Sequence, residues 1–200
     1  MDFLGTGQSD RLKDWPEDWW YHGACQAKAL AEHLGQEKCI IMGTSGGAVA
    51  ALLVAIHFPQ NVTAVIADSC VEKFSPEQLR HGVEERNKCT DEQVYFWSTA
   101  NGADWKQVVE ADSENLIRLA ENGGDCFQRR LKEIKCPVLL TGSLQDSFLP
   151  DIGGQLCRMS QQIEGSRVYI CNSGDHPLMW SEADDFRRIS SDFMRSLPAL

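Results

Sequence analysis

Ser45 lies in the segment Gly43-Thr44-Ser45-Gly46-Gly47. An apolar run, Cys39-Ile40-Ile41-Met42, precedes it, and a second, Ala48 to Ile56, follows. Together they predict a strand, a sharp turn and a helix, with a serine at the tip: a nucleophile elbow. Such a turn strains the serine backbone and pushes the hydroxyl out of the sheet. Small residues two before and two after, Gly43 and Gly47, would let strand and helix pack closely around it. A serine hydroxyl is a poor nucleophile until a base takes its proton. The base is usually a histidine, oriented by an acid. In elbow proteins the chain order is serine, acid, histidine.

The chain offers an acid and a base after predicted strands. Strand 137–141 leads into Gly142-Ser143-Leu144-Gln145-Asp146, and strand 167–171 leads into Asn172-Ser173-Gly174-Asp175-His176. Sites in open α/β sheets are built from loops beyond the carboxyl ends of the strands. Ser45, Asp146 and His176 all fall in such loops. The other histidines do not: His22 and His33 flank a predicted helix, His57 ends another, and His81 lies in a charged helical segment. Asp175 adjoins His176, which makes a contact to its imidazole awkward. Asp151 suits the start of the next helix, where a carboxylate favours the helix dipole. Asp68, just after a strand, is a weaker candidate for the acid.

Residues 1–21 read as irregular, with tryptophans at 15, 19 and 20 that pack the following helix. His22 to Leu34 has helical spacing and Gly35 ends it. Lys38–Met42 is a predicted strand, Gly46–His57 a helix, and Val62–Ala67 a strand. Such continuous apolar strands suit a parallel sheet covered on both faces. Residues 71–133 are charged, with helical patterns near 76–87, 90–99 and 104–121. Strands at 137–141 and 167–171 alternate with helices at 151–163 and 181–194. The expectation is an α/β protein: a sheet domain of residues 1–70 and 134–200, with residues 71–133 inserted as a helical cap.

The 200 residues carry a net charge of −10. That argues against nucleic acid and anionic membrane surfaces as partners. No apolar stretch has the 18 residues of a membrane span, and no basic segment leads into an apolar one near Met1, so no signal peptide is expected. Eight cysteines occur without Cys-x-x-Cys spacing. They read as reduced thiols of a cytoplasmic protein rather than a zinc site. No metal or cofactor is expected.

With these motifs in place, the chain resembles the α/β-hydrolase superfamily, in the branch with a helical cap, and within it the biphenyl-hydrolase-like and carboxylesterase-type members. Asp2-Phe3-Leu4-Gly5-Thr6-Gly7-Gln8-Ser9 is similar to the family's Asp-x-x-Gly-x-Gly-x-Ser loop. Pro59-Gln60-Asn61-Val62 resembles its Pro-x-x-Val strand entry. Cys136 to Gly142 with Asp146 and Pro150 resembles the acid-bearing strand and loop, and Gly174-Asp175-His176 the histidine loop. The resemblance implies a serine hydrolase acting on a small ester, thioester or related carbonyl compound. Ser45 would attack, His176 would carry the proton, Asp146 would orient His176, and the Gly46 N–H would meet the oxyanion.

In that family the Asp-x-x-Gly loop follows four strands, whereas here it starts at residue 2. The resemblance therefore implies that a half-sheet, and the loop giving a second oxyanion donor, lie outside this sequence. The expectation is a reading frame that continues upstream of codon 1. Lys38–Met42 would otherwise be an apolar edge, open to a second copy in a homodimer. Trp97, Trp105, Phe148 and Trp180, with Phe96, are candidates to line a substrate pocket, or equally to pack the cap against the core. The competing function is a non-catalytic α/β-hydrolase-like module that binds a ligand or partner with an incomplete oxyanion hole.

Overall fold

A computed structural model describes residues 1–197. Their contacts separate into two compact units. One comprises Met1–Gln26 and Lys73–Cys126; the other comprises Ala27–Glu72 and the chain from Phe127 onward.

The second unit holds the sheet. Its strands are β1 (Cys39–Thr44), β2 (Val62–Asp68), β3 (Val138–Ser143) and β4 (Arg167–Cys171), all parallel, in the order β1-β2-β3-β4. Among the described residues β1 pairs with β2 alone. Helix α1 (Trp19–His33) precedes β1 and α2 (Gly46–His57) follows it. α2 is apolar around its whole circumference, and every residue from Ala48 to Ile56 is buried. A helix without a polar face must be buried on all sides. α6 (Ile152–Gln162) links β3 to β4, and after β4 come a short α7 (Leu178–Ser181) and α8 (Ala183–Arg195).

Strand alternation divides the core between the two faces of the sheet. Ala64, Ile66 and Leu139 point to one face, where Phe186 and Phe193 of α8 pack with Ile40 and Met179. Gly43 and Gly142 point to the other. There a Cβ on Gly43 would meet the backbone of α2, and one on Gly142 the side chains of Ile152 and Leu156 in α6.

The first unit is helical: α3 (Pro76–Arg86), α4 (Asp91–Asn101) and α5 (Trp105–Glu121). Ser75 with Gln78, and Thr90 with Gln93, form capping boxes that start α3 and α4. The first 26 residues cluster with these helices rather than with the sheet. Their hydrogen bonds explain why. The Arg11 guanidinium forks onto the Asp104 carboxylate at 2.7 and 2.9 Å and also donates to the Asn101 carbonyl, while the Gly7 N–H donates to Asn101 Oδ1. The tryptophan cluster differs from expectation in one respect. α1 begins at Trp19, three residues early, and Trp19 stacks on Trp15 with ring centroids 4.8 Å apart.

No helix among the described residues is long and apolar enough to cross a membrane. No disulfide joins any two of the eight cysteines, all of which lie among the described residues.

Candidate active site

Parallel strands end at the same side of a sheet, and three loops at that side carry the chemistry-bearing groups. β1 stops at Thr44 and α2 starts at Gly46. Ser45 alone makes the turn, at φ 52 and ψ −123. A non-glycine residue in such a conformation costs about 1–3 kcal/mol and persists only where its surroundings hold it. Here the Ser45 N–H donates to the Asp68 carbonyl at 2.9 Å, and its own carbonyl accepts from Ala48 at 3.0 Å.

The two flanking glycines are not equivalent. A Cβ on Gly43 would lie 2.1 Å from the Gly47 carbonyl oxygen, so this close approach of strand and helix requires glycine. A Cβ on Gly47 would meet nothing within 4 Å. The expected need for a small residue therefore holds at Gly43 and not at Gly47.

Ser45 Oγ lies 2.9 Å from His176 Nε2, and His176 Nδ1 lies 2.9 Å from Asp146 Oδ2. The Asp146 side chain is fully buried and that of His176 nearly so. Asp146 Oδ1 accepts from the N–H groups of Phe148 at 2.9 Å and Leu149 at 2.8 Å. Its carboxylate is therefore locked with one oxygen in its own turn and the other on the imidazole. With Nδ1 protonated toward Asp146, Nε2 presents a lone pair to the Ser45 hydroxyl.

The acid and histidine loops are joined to each other. The Ser143 hydroxyl donates to the Ser173 carbonyl at 2.8 Å, and the Leu144 N–H donates to the Cys171 carbonyl at 2.8 Å. Asp175 reaches back to Ser147. Bonds from Ser147 hold the Asp175 carboxyl below the usual carboxylate range, helped by the N–H of His176.

The rejected acids have other partners. Asp151 sits in the left-handed region before α6 without capping it, and pairs with Arg158 at 3.1 Å. Asp68 is fully buried and accepts from the hydroxyls of Thr44 at 2.8 Å and Thr141 at 2.6 Å, and from the Met179 N–H at 3.1 Å. Burial holds the Asp68 carboxyl above the usual carboxylate range, and the bonds from Thr141, Met179, Thr44 and Ser69 offset only part of that. Sequence reasoning weighed Asp68 only as an acid for the histidine and missed this arrangement. The available signal was a charged residue closing an otherwise apolar strand.

Gly46 is the first residue of α2, so its N–H belongs to the helix turn that has no intrahelical acceptors. The aromatic candidates separate. The Phe148 ring stacks on the His176 imidazole, with centroids 5.3 Å apart. Trp180 lies on α7 and is exposed. Trp97 and Trp105 belong to the helical unit, where they stack on each other at 5.5 Å and border a groove of about 740 Å³ with Val83, Val109 and Ile117. Phe96, also on α4, is exposed. Among the described residues, no three His, Cys, Asp or Glu side chains are gathered as a metal ion would require.

Comparison with known proteins agrees with this architecture. Residues 1–84 match the family model described as the alpha/beta hydrolase fold. The chain is 23% identical over 188 residues to the serine hydrolase BPHL of Mus musculus, covering 92% of this chain and 64% of that protein. It is 24% identical over 194 residues to the 2-hydroxy-6-oxo-6-phenylhexa-2,4-dienoate hydrolase of Comamonas testosteroni, covering 84% and 66%. The structure of NosK from Streptomyces actuosus superposes with a TM-score of 0.78 at 18% identity, covering 98% of this chain and 84% of that one. The chain thus spans under two thirds of the length of its mouse relative, and it has the α/β-hydrolase fold.

Proposed function

We propose that this chain carries the catalytic machinery of a serine hydrolase that cleaves a small ester, thioester or related carbonyl compound through an acyl-enzyme. The observation that carries the reading is the unbroken relay from Ser45 Oγ through His176 to Asp146, with both contacts at 2.9 Å. Two of the similar proteins are hydrolases by name, one of them a serine hydrolase, which supports the same reaction class.

In the proposed reaction, Ser45 Oγ attacks the carbonyl carbon while His176 Nε2 takes the hydroxyl proton. The carbonyl oxygen becomes an oxyanion, for which the Gly46 N–H is one donor. His176 returns the proton to the departing alcohol or thiol, leaving the acyl group on Ser45. Water then repeats the attack, giving up its proton to His176, and the free acid leaves as Ser45 is regenerated. Asp146 balances the imidazolium at both stages and holds its tautomer. Phe148 and Trp180 would meet an apolar part of the substrate.

A fluorophosphonate probe tests the proposal, because it reacts with activated serines. Labelling at Ser45 that disappears in both Ser45→Ala and His176→Ala is expected. A folded chain whose labelling is absent, or is unchanged by Ser45→Ala, would refute it.

A further inference from the structure

We infer that Asp68 is the positioning residue that sets Ser45 and His176 at reacting distance; this rests on the proposed reaction. Asp68 touches neither the imidazole nor the serine hydroxyl. It meets the backbone or neighbours of all three loops that carry the relay.

On the elbow side, the Asp68 carbonyl accepts the Ser45 N–H at 2.9 Å and its Oδ2 accepts the Thr44 hydroxyl at 2.8 Å. The strained turn is thus held at two consecutive residues by one partner. On the side of the acid strand, Oδ1 accepts the Thr141 hydroxyl at 2.6 Å, and the Ser69 N–H donates to the Thr141 carbonyl at 2.8 Å. On the histidine side, Oδ2 accepts the Met179 N–H at 3.1 Å, and the neighbouring Ser69 Oγ accepts the Leu178 N–H at 2.9 Å. These two N–H groups open the helical turn that follows His176-Pro177.

A buried carboxylate is costly unless every lone pair is matched. Matching it from three separate segments links their positions: moving any one of them leaves a charge unsatisfied in the core. A carboxylate, with acceptor capacity on both oxygens, can gather several donors at once. An asparagine offers one acceptor oxygen, and its amide NH₂ stands where the second carboxylate oxygen accepted. The strain at Ser45 gives the linkage a function, since a turn that would relax is kept in the geometry that aims Oγ at Nε2.

The test compares the parent chain with Asp68→Asn and with Thr44→Val, which removes only the elbow-side donor. Two readouts are needed: kcat and KM for a p-nitrophenyl ester, and the downfield proton resonance of the His176 Nδ1–H. Asp68→Asn is expected to lower kcat about 100-fold, the order of loss from misplacing reacting groups by an ångström, with KM unchanged and the resonance broadened or shifted. Thr44→Val should lower kcat in the same sense by less. Parental kcat together with an unchanged resonance in folded Asp68→Asn would overturn the inference. If Asp68→Asn does not fold, parental kcat in Thr44→Val overturns it instead. If the parent neither turns over ester nor reacts with fluorophosphonate, the proposed reaction fails, and the resonance still decides whether Asp68 positions His176.

Discussion

Asp175 Oδ1 accepts two hydrogen bonds from Ser147, one from its main-chain N–H and one from its hydroxyl, both at 2.8 Å. Ser147 follows Asp146, and Asp175 precedes His176. The clamp therefore joins the two loops one residue from each member of the Asp146–His176 contact. Asp175→Ala should lower kcat roughly tenfold by letting the loops part, since small misplacements of reacting groups are costly in rate. Steady-state kinetics on a p-nitrophenyl ester measure it, and Ser147→Ala should show a smaller effect in the same direction.

The same clamp makes a prediction about pH. Bonds from Ser147 and His176 hold the Asp175 pKa below that of a free carboxylate. A depressed carboxylate contributes stability above its unfolded pKa and loses it as pH falls through its folded value. The difference in urea midpoint between the parent and Asp175→Asn should therefore be present at neutral pH and shrink below about pH 4. A difference that stays constant across that range would show that the charge plays no part.

Asp146 divides its oxygens between its own turn and His176. In Asp146→Asn the turn's two N–H groups claim the single carbonyl oxygen. The amide NH₂ then faces His176 Nδ1 and favours the tautomer protonated at Nε2, which donates toward Ser45 and cannot act as its base. The fold should survive while kcat falls by about 10⁴. Asp146→Ala additionally leaves two N–H groups without their acceptor, of which only that of Leu149 is buried, at about 1–3 kcal/mol for the buried one. Chemical denaturation beside kinetics separates the two variants.

The elbow, the alternation of strand and helix, and the candidates Ser45, Asp146 and His176 were legible because each is local. The apolar runs at Cys39–Met42 and Val62–Ala67 have strand length, the serine sits between strand and helix, and Asp146 and His176 each follow a strand. The bonds that hold these groups in place were not legible. Asp175 meets Ser147 across 28 residues, and Thr141 meets Asp68 across 73. Such contacts follow from sheet register and from the length of two loops, which hydrophobic periodicity does not encode. The grouping of residues 1–26 with α3–α5 was hidden for the same reason, since it rests on Arg11 meeting Asp104 at a separation of 93.

Gly43 and Gly47 look alike in sequence and should behave oppositely. Gly43→Ala drives a methyl into the Gly47 carbonyl, and because backbone on both sides must move, a loss at or above the usual overpacking range of about 1–3 kcal/mol is expected. Gly47→Ala meets nothing within 4 Å in the first turn of α2. By restricting the unfolded chain it should stabilise by about 0.4–1 kcal/mol. Urea unfolding of both variants distinguishes this from the symmetrical role that the motif suggests.

Phe148 presents the last contrast. Its ring stacks on the His176 imidazole while 71% of the residue stays exposed. Under the proposed reaction, a large apolar ring left open beside the imidazole would cover substrate rather than core. Phe148→Ala should change stability by no more than about 0.5 kcal/mol, as surface substitutions usually do. Its effect should appear in KM and depend on the acyl chain. If the ring covers roughly 40 Å² of a hexanoyl chain at about 25 cal/mol per Å², the contact contributes about 1 kcal/mol, near fivefold in KM. An acetyl group is too short to share that contact, so the acetate ester should be unaffected. Measuring KM for p-nitrophenyl acetate and hexanoate with the parent, Phe148→Ala and Trp180→Ala tests the assignment. An equal change for both esters would place Phe148 in support of the imidazole and outside the acyl site.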